Sequence, residues 1–260
     1  MKARIKNKVV LVLQIVFTAC FIILNSGCGL DEYYVLEGPG AIVCPVYSAS
    51  NPLVAENKYV EFTTNSSDSS SGAFTIDGTD VYYKIYSSIS TCTSEYSALN
   101  TLLNNSSTKS SSASSLINTY KFQKLKNTAN SDDVFVSHDG LAVKVRIRLT
   151  QYLQDQSVDE YKALIYIGGI KSGVPIRYYG NRYFDFYRNN GTSFNAPLPR
   201  STDYEEDVSS NTSTDSTDTT GYWYINLYAV TRGHDSSFTT YYSPICHLGT
   251  LYIDPSSYYN

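Results

Sequence analysis

The chain has 260 residues, with 20 Lys+Arg against 24 Asp+Glu and a formal net charge of −4. That balance argues against a general nucleic-acid partner, which needs a basic face to displace counterions. Its 25 tyrosines contrast with 5 cysteines and 3 histidines, so strand and recognition residues abound while ligands for metal or acid–base chemistry are scarce.

Residues 1–27 read as an export signal. Lys2, Arg4, Lys6 and Lys8 form a basic start, and Val9 to Leu24 form an apolar run. A spanning helix needs about 20 apolar residues. This run is shorter, is interrupted by Gln14 and Thr18, and ends in Asn-Ser-Gly, so cleavage is expected rather than a permanent helix. The ending Ser26-Gly27-Cys28 resembles a bacterial lipobox of the loosened kind seen in spirochaete lipoproteins, with Asn25 where an aliphatic residue is usual. The resemblance implies a lipid anchor on Cys28 as the one covalent group, no other cofactor, and residues 28–40 as a tether. Cleavage before Cys20 instead would leave Phe21 to Leu24 at the new terminus; a plain secretory signal with Cys28 as a thiol is the other reading. The anchor implies a place in the cell envelope, at the outer membrane or cell surface in preference to the inner membrane. The segment removes four of the 20 basic residues, which leaves 16 against 24 and a net charge of −8.

Residues 41–260 are expected to form one domain. Three tracts, "TTNSSDSSSG" (63–72), "NNSSTKSSSASS" (104–115) and "SSNTSTDSTDTT" (209–220), hold too little apolar surface to offset ordering entropy and read as mobile loops. Between them, "DVYYKIYSS" sets Val81, Tyr83 and Ile85 on one face and Tyr82, Lys84 and Tyr86 on the other. "TSEYSALNTLLNN" predicts a helix with Thr93 as N-cap, Glu95 in the first turn and a stripe of Tyr96, Leu99, Leu102 and Leu103. "LAVKVRIRL" alternates Leu141, Val143, Val145, Ile147 and Leu149 with Lys144, Arg146 and Arg148, a half-buried strand with a solvated basic face. "ALIYIGG" (163–169) predicts a central strand, and "RYFDFYR" a strand with Phe184 and Phe186 inward. Many short strands with one inserted helix predict a mainly β protein, an antiparallel sandwich.

The stretch "INLYAVT", a polar tip and "SPI" within 222–253 resembles the last two strands of a fibronectin type III domain, and "VYYKIY" resembles its third. The resemblance implies an Ig-like or fibronectin-like β-sandwich with an insertion over about 88–220 that carries the helix. Ile225, Leu227 and Ala229 would then face the core, and "TRGHDS" (231–236) would be an exposed hairpin tip. Trp223 departs from the family's tyrosine corner. In such a sandwich Cys44 and Cys246, in the first and last strands, could approach and pair, with Cys92 left over; the pair would close a loop of about 200 residues.

Candidate chemistry is thin. His138-Asp139 and His234-Asp235 pair imidazole with carboxylate, but strand neighbours point apart, and His138-Asp139-Gly140 has a turn's composition. With Cys246 and His247 these show no ligand spacing, so no metal and no catalytic residues are assigned. No GxSxG, HExxH or phosphate loop is present. The segment "IRYYGNRYFDFYRNNG" (176–191) gathers Arg177, Tyr178, Tyr179, Arg182, Tyr183, Tyr187 and Arg188, which suits a glycan or protein partner unless the tyrosines are simply strand. The expected function is a lipid-anchored, non-enzymatic binding or adhesion module. A structural envelope component is the alternative, and an exported hydrolase the third reading.

Overall fold

The structure is a computed structural model that describes residues 36–45, 58–66, 74–129, 133–149, 163–181, 184, 206–209 and 223–253. The first strands among them are β1 (Gly40–Val43), β2 (Tyr59–Thr63) and β3 (Phe74–Tyr86). Short strands follow: β4 (Gln123–Lys124), β5 (Lys126–Asn127), β6 (Val136–Ser137), β7 (Lys144–Arg148), β8 (Leu164–Ile167), β9 (Ile170–Gly173) and β10 (Pro175–Ile176). The chain closes with β11 (Trp223–Asp235), β12 (Thr240–Tyr242) and β13 (Cys246–Ile253). One long helix, α1, spans Ile89–Asn104.

These strands build an antiparallel β-sandwich. One sheet has the order β1-β2-β7-β8-β9; the other has β12-β11-β3-β4, with β13 also on β11 and β6 on β3. β3 and β11 form its spine, in register from Tyr224↔Tyr86 to Asp235↔Phe74. The alternation read from the sequence decides what lies between the sheets. Val60 and Phe62 of β2, Val145 and Ile147 of β7 and Ile165 of β8 meet Val81, Tyr83, Ile85, Ile225, Leu227 and Ala229, all fully buried. Each Val, Ile, Leu and Phe among them contributes about 1.5–3 kcal/mol through removal from water. In "LAVKVRIRL" the inward face holds from Val145 to Leu149, whereas Leu141 is exposed, because β7 begins only at Lys144.

The opposite face of the spine is buried too. Tyr82 and Tyr86 of β3 and Tyr224, Tyr228 and Val230 of β11 pack under Cys92 and Leu99 of α1, so the insertion forms a third layer. The helix starts at Ser88, not at Thr93. Ile89 and Cys92 extend the buried stripe by a turn at helical spacing, and that contact draws the start forward. Glu95 thus sits in the second turn, where it binds Lys84 Nζ at 2.9 Å and accepts from Tyr86 Oη at 2.8 Å.

The serine-rich tract after the helix is not a mobile loop. Asn105 Oδ1 accepts from Ser107 N, Thr108 Oγ1 donates to the Leu102 carbonyl, and short helical turns run from Lys109 to Thr119. Ala113 and Leu116 are buried, and fully buried Ser112 donates to the Lys109 carbonyl while accepting from Ile245 N. Two apolar anchors and one satisfied hydroxyl are enough to order a tract whose composition reads as loop. Residues 67–73 and 210–220 lie outside the described residues, as does Phe186.

Between α1 and the spine, His247 lies 4.6 Å from the Tyr96 ring and 4.9 Å from the Tyr228 ring. Its Nε2 donates to Asn226 Oδ1 at 2.7 Å. Burial lowers its pKa to about 4. The unfolded imidazole, with a pKa of about 6.5, binds the proton more readily than the folded one, so stability falls as pH drops from about 6.5 towards 4. The full loss from this one group is about 3 kcal/mol. Urea melts of wild type and His247→Gln across that window should show a shallower acid slope in the variant; equal slopes would refute the assignment.

The cysteines do not follow the sandwich expectation. Cys44, Cys92 and Cys246 are free. Cys44 packs on Gly249, whose φ of +143° and missing side chain leave room: a Cβ there would lie 2.3 Å from Cys44 Sγ. Gly249 is three residues along β13 from Cys246, roughly 10 Å at strand rise. Cys246 Sγ instead donates to the Pro39 carbonyl at 3.2 Å. Burial pushes both thiols up to about 11 and Cys92 to about 12, which keeps them protonated and unreactive.

Candidate functional site

The Tyr–Arg segment divides at its first two residues. Arg177 is not a surface group: it is 1% exposed, and its Nε and Nη2 donate to Asp207 at 2.8 and 2.7 Å. Tyr83 Oη donates to the same carboxylate at 2.6 Å and accepts from Tyr178 N at 2.6 Å. Burial, with Asp207 beside it, holds the Tyr83 phenol well above its ordinary pKa, so it stays a donor. Asp207 is itself held by its carbonyl, which accepts from Ile85 N, beside the parallel bridge between Ile85 and Val208. A bidentate, charge-assisted pair is the arrangement that lets two opposite charges tolerate burial.

This buried trio sets the backbone from which Tyr178 projects outward, 44% exposed. Tyr179 is half-buried in the turn that follows, where Gly180 and Asn181 take positive φ values of 62° and 51°. The turn carries Asn181 back over β5, and β10 holds β5 through Ile176↔Lys126. Lys126 Nζ donates to Asn181 Oδ1 at 2.9 Å and stands 5.0 Å from the centre of the Tyr178 ring. The result is an open groove of about 570 Å³ between the β5–β10 ribbon and the segment Asp133–Phe135, with Lys124, Lys126, Thr128, Tyr178 and Asn181 among its lining. That volume is in the range of ligand pockets, roughly 300–1,000 Å³.

The far wall is charged and braced. Lys124 Nζ pairs with Asp80 at 2.8 Å and donates to the Asp133 carbonyl, and Arg232 Nη2 pairs with Asp133 at 2.7 Å. Burial raises the Asp80 pKa against the pull of Lys124 and Arg232, whereas the Arg232 hydrogen bond lowers that of Asp133. Arg232 lies in β11, so "TRGHD" is strand and only Ser236 belongs to the tip. Thr231 and Gly233 are buried, and the turn comes later, at Ser236–Thr239. The two long strands β3 and β11 stay paired as far as Asp235↔Phe74, and that pairing pushes the hairpin end outward.

The His–Asp neighbours separate, as strand geometry expects. His234 Nδ1 meets Asp77 at 2.7 Å, not Asp235, whose carboxylate caps Ser237 N and Thr239 N. Asp139 Oδ1 accepts from Leu141 N in a turn where Gly140 has φ 83°. Among the described residues no group of three His, Cys, Asp or Glu side chains could hold a metal ion, and no helix is long and apolar enough to cross a membrane. Arg182, Tyr183, Tyr187, Arg188 and Cys28 lie outside the described residues. Sequence reasoning missed Lys124 and Lys126, which the alternating lysines of "KFQKLKN" could have marked, and did not single out Asn181 within the segment 176–191. Comparison with known proteins yields no matching family model, no matching curated protein and no matching solved structure.

Proposed function

We propose that the mature chain is a lipid-anchored, non-enzymatic binding or adhesion module of the cell envelope, tethered through Cys28, that holds a glycan or protein partner in the groove beside Tyr178. The observation that carries the reading is an exposed aromatic ring over an open groove, carried on backbone that is bonded to a fully buried ion-pair cluster. A tyrosine ring has few rotatable bonds and loses little entropy on binding, and the amide of Asn181, the hydroxyl of Thr128 and the ammonium of Lys126 supply directional contacts around it. The pairing of β3 with β11 and of β11 with β13 is the arrangement that a fibronectin-like reading calls for, and it supports that likeness.

Tyr178→Ala with Lys126→Ala should weaken binding to a glycan array or to isolated envelope fragments by at least about 2 kcal/mol, the usual hot-spot threshold. Both side chains are exposed, so the double variant should melt like wild type. A folded variant that binds unchanged removes the groove from consideration. Cys28→Ser should abolish fatty-acid labelling and release the protein from membranes. If Cys20→Ser does this instead, the anchor is misassigned.

A further inference from the structure

Among the described residues three large apolar side chains stand far out in water: Leu141 is 68% exposed, Ile170 72% and Phe238 81%. Single exposed hydrophobes are ordinary on a protein surface. These three sit at three different turns, and the contacts between those turns gather them at one end of the sandwich. Ile170 follows the β8–β9 turn, where Gly168 N donates to the Lys144 carbonyl and a Cβ on Gly168 would touch Val143 at 3.8 Å. Leu141 lies two residues before Val143, in the connection whose His138 N donates to the Asp77 carbonyl. Asp77 in turn holds His234, and the His234 ring stacks on that of Phe238 with centres 5.4 Å apart.

Phe238 breaks a local rule to stand there. Its φ is +61°, in the left-handed region where a bulky side chain is an outlier. Gly168 and Gly169, at +60° and +80°, are the ordinary occupants of such backbone. The tip is firmly built all the same: Asp235 Oδ1 accepts from Ser237 N and Thr239 N, and Phe238 N donates to the Asp235 carbonyl. A large ring held in unfavourable backbone and turned out to water points to a use outside the fold.

The tether leaves at this same end. Cys246, which opposes Ala229 of β11, donates to the Pro39 carbonyl. Two residues nearer the anchor, the Glu37 carbonyl accepts from Thr231 Oγ1 and from Asn65, just past the end of β2. Followed back towards Cys28, the chain therefore climbs β11 towards the tip. From Thr231 the strand has roughly 14 Å to run to Asp235, against roughly 27 Å to its other end at Trp223. Leu36 is buried, so the fold begins there, and residues 28–35 reach no more than roughly 28 Å. On so short a tether, the end with the three apolar turns is the one presented to the bilayer.

We infer that Leu141, Ile170 and Phe238 dip into the head-group layer of a phospholipid membrane and stand the anchored protein on this end. The inference rests on the anchor at Cys28. Because the contact is apolar it asks for no charge on the lipid, and a zwitterionic bilayer is enough.

The test uses the chain from Cys28 onward, which keeps both hydrophobic clusters entire, coupled through that thiol to maleimide lipid in phosphatidylcholine vesicles. Burial keeps the thiols of Cys44, Cys92 and Cys246 protonated, so Cys28 is the one that reacts. In Phe238→Trp the new indole should shift to the blue on coupling and be quenched by brominated acyl chains. The response should be the same at about 0.1 and about 0.5 M salt, since screening does not touch an apolar contact. Trp223, buried at the other end of β11, is the internal reference and should not respond. Adding Leu141→Ser and Ile170→Ser should lower the ratio of docked to free chains about 100-fold, at roughly ten-fold per side chain. Should Phe238→Trp fail to fold, hydrogen exchange of the unaltered coupled chain decides, with the amides of 139–141, 168–170 and 236–239 expected to slow. An indole still open to aqueous iodide, docking unchanged by the Leu141 and Ile170 substitutions, docking lost in high salt, or turn amides that exchange as before would each overturn the inference. Because the coupling supplies the tether, such a failure leaves the Cys28 anchor standing; a failed anchor shows only in fatty-acid labelling.

Discussion

Replacing Asp207 with alanine should destabilise the protein by about 3–5 kcal/mol, the cost of stranding one partner of a buried ion pair. Arg177 is 1% exposed, so its guanidinium would stay charged and buried while losing the carboxylate that it grips through two hydrogen bonds. Tyr83 Oη would lose its acceptor at the same time. The damage should reach the groove, because Tyr178 N is bonded to Tyr83 Oη. Equilibrium urea denaturation measures the loss. The double variant Arg177→Met with Asp207→Leu should recover most of it, since apolar replacement of a whole buried pair is often neutral or stabilising. A single variant that loses less than about 1 kcal/mol would place the pair in the class of exposed ion pairs.

Leu99→Ala should cost about 2–5 kcal/mol, by loss of transfer energy and by the cavity left behind. Leu99 is fully buried in the cluster that α1 makes with Tyr82, Tyr86, Tyr224 and Tyr228, while Leu102, one turn on, is only partly buried and should cost less when truncated. The measurement also tests whether the helix is an appendage. If α1 merely rested on a complete sandwich, Leu99→Ala would melt the helix early and leave a second, unchanged transition. One cooperative transition, shifted as a whole, is expected, because the covered face belongs to β3 and β11, the strands that also form the main core.

These results separate what is local from what is not. The alternation of Val81, Tyr83 and Ile85 against Tyr82 and Tyr86, and that of Val145 and Ile147 against Lys144 and Arg146, assigned faces correctly, because period two is a property of the strand itself. Ile225, Leu227 and Ala229 entered the core for the same reason. The mainly antiparallel β class and one inserted helix were therefore legible in the sequence. Tertiary structure alone decided whether a second face was covered: Tyr82 and Tyr86 look like a half-exposed face until α1 is laid over them. It also decided that Arg177 points inward, since a charge can be buried only beside a partner, and Asp207 stands 30 residues away. The serine tract was ordered by contact with Ile245, and "TRGHD" became strand because β3 is long enough to pair with it. Local pattern assigns a side chain to a face; which charges that face can hold depends on groups brought up from far along the chain, and only the folded arrangement supplies them.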